Sequence, residues 1–405
     1  MPVSAFRLPT SSTSDARLIA NRVLITLLCA GWLSAWLLSF ATLSPNRLAA
    51  GQAVMLRDAA SEWQFAVMLV LTGLLTVAAF KRPLPRALAH AVVLLASLGL
   101  LLVTLYSLGD YAQRALADTS SAARISQGAA FWVIVFCCAL AAIDTFQRTA
   151  SGWLLRLGYM LIAGGSVAML FASGHFHDLS IMREYANIRD DFADQLITHL
   201  VLVGAALGPA LLIGIPLGLL AHRHMRLRGA LFSVLNFFQT IPSIALFALL
   251  IAPLSALGNA FPLLGEWGIK GIGAAPAIIA LVMYALLPVV RNTYAGLKGV
   301  PPATVEAARG MGMTARQVLW RVEIPLALPV MLSGLRIVTV QAIGLTVVAA
   351  LIGAGGLGAF IFQGLGQYAI DLVLLGAIPT IVLAVIADFT LQMLVVLSKP
   401  AGTRR

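Results

Sequence analysis

Hydrophobic positions in this chain fall into long runs that carry almost no charge. Ten runs lie near residues 23–43, 63–80, 87–108, 128–146, 153–172, 195–220, 230–256, 274–290, 329–352 and 372–397. An apolar helix of about 18 residues or more can cross a hydrocarbon core of about 30 Å. A helix also satisfies its own backbone groups, as a spanning segment must. The pattern predicts an all-α integral membrane protein with ten transmembrane helices.

Polar punctuation groups the runs. Residues 1–22 form a polar tail rich in Ser, Thr and Arg, and five spans fill 23–172. An acidic segment, 173–194, carries Asp178, Glu184, Asp190, Asp191 and Asp194 and marks the clearest boundary. Five further spans fill 195–398 and leave a short tail, 399–405. The second group is richer in glycine and proline. Pro216, Pro242, Pro288 and Pro379 each remove a backbone donor and can kink a helix. Gly204, Gly208, Gly214 and Gly218 recur at helical spacing and allow close helix contact. No internal repeat is visible, so an inverted-repeat carrier gains no support.

The chain is 60% hydrophobic and 11% charged, which excludes a soluble domain with an ordinary core. The net charge of +11 raises nucleic acid as a partner, but its distribution points to the membrane. With the N-terminus cytoplasmic, 19 of the 27 Lys and Arg fall on that side, counting Arg156 at the cytoplasmic end of its run; seven fall outside, and Arg336 lies deeper within a span. This is the positive-inside bias, which predicts cytoplasmic termini. The basic runs at 81–86 and 223–228 then face anionic lipid and need no nucleic acid.

Catalytic chemistry finds no foothold. Cys29, Cys137 and Cys138 lie in apolar spans and read as small hydrophobes. His175, His177 and Asp178 form a short cluster without a second half, so no metal site is expected. His199, near the outer end of its span, reads as interfacial. Residues 353–358 match G-x-G-x-x-G but follow a membrane helix and open no βαβ unit; they read as a tight re-entrant turn. No G-x-x-x-x-G-K-[ST] stretch is present, so phosphates are not cradled here in the usual way. Arg336 and Asp388 are the charges farthest inside the later spans. They lie roughly 10 Å and roughly 14 Å from the cytoplasmic ends of their helices, a depth that permits pairing.

The most informative stretch is Glu306-Ala307-Ala308-Arg309-Gly310-Met311-Gly312, with Val322-Glu323-Ile324-Pro325 ten residues on. It is polar and helix-forming, set between two apolar helices, and reads as a handle for a soluble partner. Pro301-Pro302 should stop the preceding helix. Thr304 is placed to cap a new one, with Glu306 in the first turn at the positive end of its dipole. Gly310 and Gly312 should end it, with a second helix from about Thr314.

These residues resemble the Glu-Ala-Ala loop of ABC importer permeases: Glu-Ala-Ala, three residues, Gly, nine residues, then Ile-x-Leu-Pro. Glu306, Ala307, Ala308, Gly312 and Pro325 match; Val322 and Ile324 stand where the family has Ile and Leu. From about 196 to 398 the chain resembles the permeases of glycine betaine, choline and carnitine importers. The residues that carry this are Asn236-Phe237-Phe238-Gln239-Thr240-Ile241-Pro242-Ser243 and Gly353-Ala354-Gly355-Gly356-Leu357-Gly358. The first five spans resemble, by layout, the extra membrane region of Yeh-type betaine permeases.

The resemblance implies a type I ABC importer core at 195–398, preceded by a five-span accessory block. It implies partner ABC ATPase subunits holding ATP and Mg, a second permease copy or paralogue, and a periplasmic substrate-binding protein. The chain itself would hold no cofactor and catalyse nothing, in a bacterial inner membrane. Coupling would fall to Glu306, Ala307, Ala308, Gly310, Gly312 and Pro325. A quaternary ammonium attracts aromatic faces, which makes Phe237, Phe238, Gln239 and Tyr284 candidates for lining the path. The alternative is an ion-gradient-driven carrier of small zwitterions, which usually needs more intramembrane acids than Asp388.

Overall fold

The computed structural model describes residues 21–399, apart from 47–48, 81–84, 118, 120–121, 150–151 and 267. The expected tails at 1–22 and 399–405 and the basic run at 81–86 lie almost wholly outside the described residues. The structure is mostly helical, as the long apolar runs require.

The chain separates into two compact units, Met1–Arg183 and Glu184–Arg405. The first contains α1 (Arg22–Leu37), β1 (Ala41–Ser44), β2 (Gln52–Val54), α2 (Leu56–Ala59), α3 (Glu62–Ala79) and α4 (Arg86–Ala117). It continues with β3 (Arg124–Gln127), α5 (Ala129–Arg148) and α6 (Trp153–Ala172). The boundary falls within α7 (Ser180–Asn187), so part of the expected acidic loop is helical. Side chains of α1, α3, α4 and α5 meet in one apolar core around Leu24, Met68, Leu75, Val103 and Ile134.

The expected first span, 23–43, is corrected. Its helix ends at Leu37, and the remaining residues enter β1, the centre of an antiparallel sheet ordered β2-β1-β3. The register pairs Thr42 with Ala53 on one side and with Ser126 on the other. Phe40, fully buried beside this sheet, meets Phe131 edge-on at 6.0 Å between ring centres. The sheet departs from a purely helical expectation; β1 pairs with nearby β2 but also with β3, whose residues lie 80 to 86 positions away. His175 stacks on Tyr106 at 4.3 Å, and its Nε2 lies 3.0 Å from the Tyr106 carbonyl. The first histidine of the short cluster is therefore engaged in packing.

The second unit contains α8 (Arg189–Arg223), α9 (Met225–Thr240), α10 (Ser243–Ala260), α11 (Pro262–Glu266) and α12 (Ala274–Lys298). It ends with α13 (Pro302–Gly310), α14 (Ala315–Val318), a π turn (Leu319–Glu323), α15 (Ile324–Ala349), α16 (Gly358–Gly366) and α17 (Ile370–Ser398). Nine described helices are long and apolar enough to cross a membrane, and α1 is a shorter apolar one. The expected span 230–256 is broken at Ile241–Pro242 into α9 and α10.

Helix α12 is the pillar of this unit, packed mainly on α8 and α15. Glycines set those distances. A Cβ on Gly214 would come within 2.6 Å of Val289, and one on Gly218 within 2.5 Å of Thr293. Gly204 and Gly208 of the same stripe face open space, so only its second half serves close packing. On the other side, Gly334 of α15 leaves room for Asn292 of α12.

Candidate functional site

Pro301 and Pro302 end one helix and start the next. Pro302 takes the first helical position, where a missing N–H removes nothing and the fixed φ is already suitable. The expected cap at Thr304 is corrected: the capping position is Pro301, three residues earlier, no side chain caps the helix, and Glu306 lies beyond its first turn. The other end follows expectation. The Gly312 N–H donates to the Arg309 carbonyl at 2.9 Å and the Met313 N–H to that of Ala308 at 3.2 Å. This closure needs a left-handed residue, supplied by Gly312 at φ 82°. Thr314 then caps α14 in a reciprocal pair with Gln317.

One face of α13 is glued down. Val305 joins Leu297, Val300, Leu319 and Ala327, and Ala308 is 1% exposed. The other face is free: Glu306, Ala307, Gly310 and Gly312 are exposed, with Met311 beside them. Met311, part of the same stretch between the two glycines, is 71% exposed. A Cβ at Gly312 would meet nothing within 4 Å in this chain.

Pro325 stands at the start of α15 and lacks the N–H that would pair four residues back. The helix widens just before it, and the Ile324 N–H reaches five residues back to Leu319. Because of this π turn, helical structure continues from Ala315 through to Ile352.

The four residues expected along the path divide into two pairs. Phe237 is 62% exposed, and its ring meets that of half-buried Phe238 at 5.8 Å. Gln239 and Tyr284 instead hold the backbone together. Pro288 has no N–H for the Tyr284 carbonyl, and the Gln239 side-chain amide donates to that carbonyl at 2.6 Å. In return the Tyr284 hydroxyl donates to the Ile241 carbonyl, where α9 has just ended. The α9–α10 break and the proline in α12 therefore satisfy each other.

The glycine-rich turn after α15 has left-handed backbone at Gly353, Gly355 and Gly356. The Gly356 N–H donates to Gln195 on α8 at 2.6 Å. His199, one helical turn farther along, is fully buried beneath Gly356, which corrects its interfacial placement. The turn that covers it lies more than 150 residues away in sequence.

Arg336 and Asp388 meet as a two-pronged ion pair, Nε to Oδ1 at 2.5 Å and Nη2 to Oδ2 at 2.7 Å. A third donor, Nη1, reaches Gln392 at 2.5 Å. Gln392 was missed, though it lies one helical turn beyond Asp388 on the same face. The paired side chains are 36% and 41% exposed on the single chain.

Two family models account for most of the described chain. Residues 21–182 match the N-terminal domain of the ABC transporter permease YehY. Residues 210–395 match the inner membrane component of binding-protein-dependent transport systems. The osmoprotectant import permease protein OsmW of Salmonella typhimurium is 43% identical over 206 residues, 51% of this chain and 91% of that protein. The chain belongs to the ABC importer permease family. The permease is also 42% identical over 186 residues to OpuCD of Bacillus subtilis, a glycine betaine/carnitine/choline transport system permease. That match covers 46% of the permease and 74% of OpuCD. A chain of the inward-facing MetNI methionine ABC transporter overlays with a TM-score of 0.46 at 22% identity, over 52% of this permease and 96% of that chain. Membership fits the site: the exposed loop, the broken second core helix and the glycine turn all lie in the residues matched by the transport-system model.

Proposed function

We propose that this permease imports a quaternary-ammonium osmoprotectant such as glycine betaine. Two permease chains, identical or paralogous, stand on two ABC ATPase subunits that hold the ATP and Mg. A periplasmic substrate-binding protein selects and delivers the solute. The permease holds no cofactor and catalyses no bond change; it lies in a bacterial inner membrane with both termini cytoplasmic.

The exposed side of α13 carries this reading. Ala307, Gly310 and Gly312, with Glu306 beside them, offer a small-residue surface on a helix whose opposite face buries Ala308 and is anchored through Val305 to the ends of α12 and α15. A partner gripping that surface pulls on the membrane core directly. Pro325 lets the pulled segment continue into α15. Phe237 and Phe238 line the path, where their ring faces attract a quaternary ammonium. Gln239 and Tyr284 position that break. The relatives named for osmoprotectant and for glycine betaine, carnitine and choline transport support the substrate class.

The test is reconstitution with the ATPase and binding protein in vesicles. Glycine betaine is expected to stimulate ATP hydrolysis and to accumulate only with ATP and the binding protein. Accumulation driven by an ion gradient without ATP would overturn the mechanism. Orientation has its own test: reporters fused after Arg228 and after Arg405 should read cytoplasmic, and one near Asp190 external. An external reading at Arg405 would reverse the topology.

A further inference from the structure

A hollow in the first unit has no role in the coupling scheme. Helix α1 packs chiefly on α5 and α3 chiefly on α4, while α1 and α3 touch each other over a smaller area. The resulting cleft encloses a cavity of about 60 Å³ and opens to the surroundings. Leu24, Leu28 and Trp32 line it from α1, Met68 and Leu75 from α3, and Ile134 from α5. The Thr72 hydroxyl, also on the wall, is spent on the Met68 carbonyl at 2.7 Å and adds no free polar group. Cys137 and Cys138 complete the apolar floor.

An empty space of this kind is unfavourable, because its lining loses dispersion partners. Water does not fill an apolar void. The surrounding medium of a membrane protein does offer a filler, the hydrocarbon chain. The dimensions agree. The cleft runs on α1 from Leu24 to Ala35 and on α3 from Phe65 to Leu75. Both are about 15–16 Å at 1.5 Å per residue, or about half of a 30 Å hydrocarbon core, the depth of one leaflet.

The mouth adds a headgroup site. Trp32, Ala35, Leu56 and Phe65 also border a second hollow, whose other walls are Trp36, Met55 and Arg57. Tryptophan and arginine are suited to the membrane–water interface. Arg57, exposed on the wall of the second hollow, lies 3.5 Å from Asp58, so a cation and an anion stand together beside that hollow. A phosphate suits the guanidinium, and an ammonium suits the carboxylate.

We propose that the accessory unit holds one phospholipid, with an acyl chain between α1 and α3, its phosphate on Arg57 and its ethanolamine nitrogen toward Asp58. On the orientation given above the lipid comes from the outer leaflet. The site itself does not depend on transport or on any substrate.

Gly31 gives the cleanest test. It lines the cleft, and a Cβ there would meet nothing within 4 Å. Gly31→Phe therefore starts into open space and directs its ring into the cleft. The full chain is purified in mild detergent, titrated with dioleoylphosphatidylethanolamine and read by native mass spectrometry. Wild type should retain one lipid per chain. Each excluded methylene lowers a binding constant about fourfold, so Gly31→Phe should retain at least about tenfold less. Thr72→Phe, filling from the opposite wall, should do the same. Arg57→Gln should weaken retention about threefold, as expected for an exposed ionic contact. Gly164→Phe, at an open position on α6, should match wild type. A second readout uses wild type alone: one brominated-chain lipid per chain should quench Trp32 fluorescence, taken as the difference from Trp32→Phe. Wild type without retained lipid, undiminished retention in both filled variants, or an unquenched Trp32 would each overturn the proposal.

Discussion

Gly312→Asp is expected to give a protein that folds and inserts but no longer retains its ATPase. The reasoning separates what the substitution does inside the chain from what it does outside. Inside, a new Cβ meets nothing within 4 Å, so there is no clash. The backbone at φ 82° resists a side chain, but aspartate is among the few residues that visit this region. Outside, the side chain and its charge project from the turn that the partner is proposed to grip. Losing a central contact typically costs about 2 kcal/mol or more, roughly a 30-fold loss in association. Co-purification and substrate-stimulated ATP hydrolysis in vesicles measure this. Wild-type coupling and uptake in Gly312→Asp would show that the exposed face of α13 is not the transmission surface.

The second large effect concerns the ion pair. Asp388→Asn should lower the melting temperature of the purified protein and the yield of assembled transporter. Arginine at the centre of a membrane helix costs about 2.5–3.5 kcal/mol by insertion measurements. Arg336 keeps Gln392, and the paired side chains are 36% and 41% exposed on the single chain, so part of that cost is relieved. A destabilisation of about 2 kcal/mol remains. The exchanged pair, Arg336→Asp with Asp388→Arg, should recover part of the loss. Recovery should be incomplete, since Gln392 then loses its donor. Single and double variants whose effects simply add would argue against a direct interaction.

What the sequence revealed follows from how local each cause is. Gly312 and Thr314 act on neighbours within three or four residues, so the end of α13 and the cap of α14 were legible. Membrane helices are legible because the bilayer forces long apolar runs, whatever their tertiary partners. Depth alone permitted the pairing of Arg336 with Asp388 but left open that Arg336 snorkels to the interface while Asp388 lines water; the packing of α15 on α17 decides for the pair. The break after α9 was not readable: Pro242 permits either a kink or a full stop, and Tyr284, 43 residues on, selects the stop. The strands were hidden because the apolar residues of β1 merge with those of α1. The burial of His199 was hidden because its cover, Gly356, arrives from the far end of α15. Of the proposed coupling surface, Glu306, Ala307, Gly310 and Gly312 are exposed as a docking face requires. Ala308 serves instead as an anchor beneath it.

The helical run from Ala315 to Ile352 spans 38 residues, about 57 Å at 1.5 Å per residue. Thr314 caps it beside the proposed coupling turn, and its far end leads into the left-handed glycines that rest on Gln195 and His199. Its regularity is interrupted by the π turn at Leu319–Glu323, by Pro329 inside the helix and by a closing 3-10 turn at Ala350–Ile352. If these points stay stiff, a tilt impressed by the proposed partner must reappear at the opposite membrane surface in the same movement. Opening one mouth of the pathway and closing the other then become a single mechanical event, with no chain of intermediate switches to fall out of step.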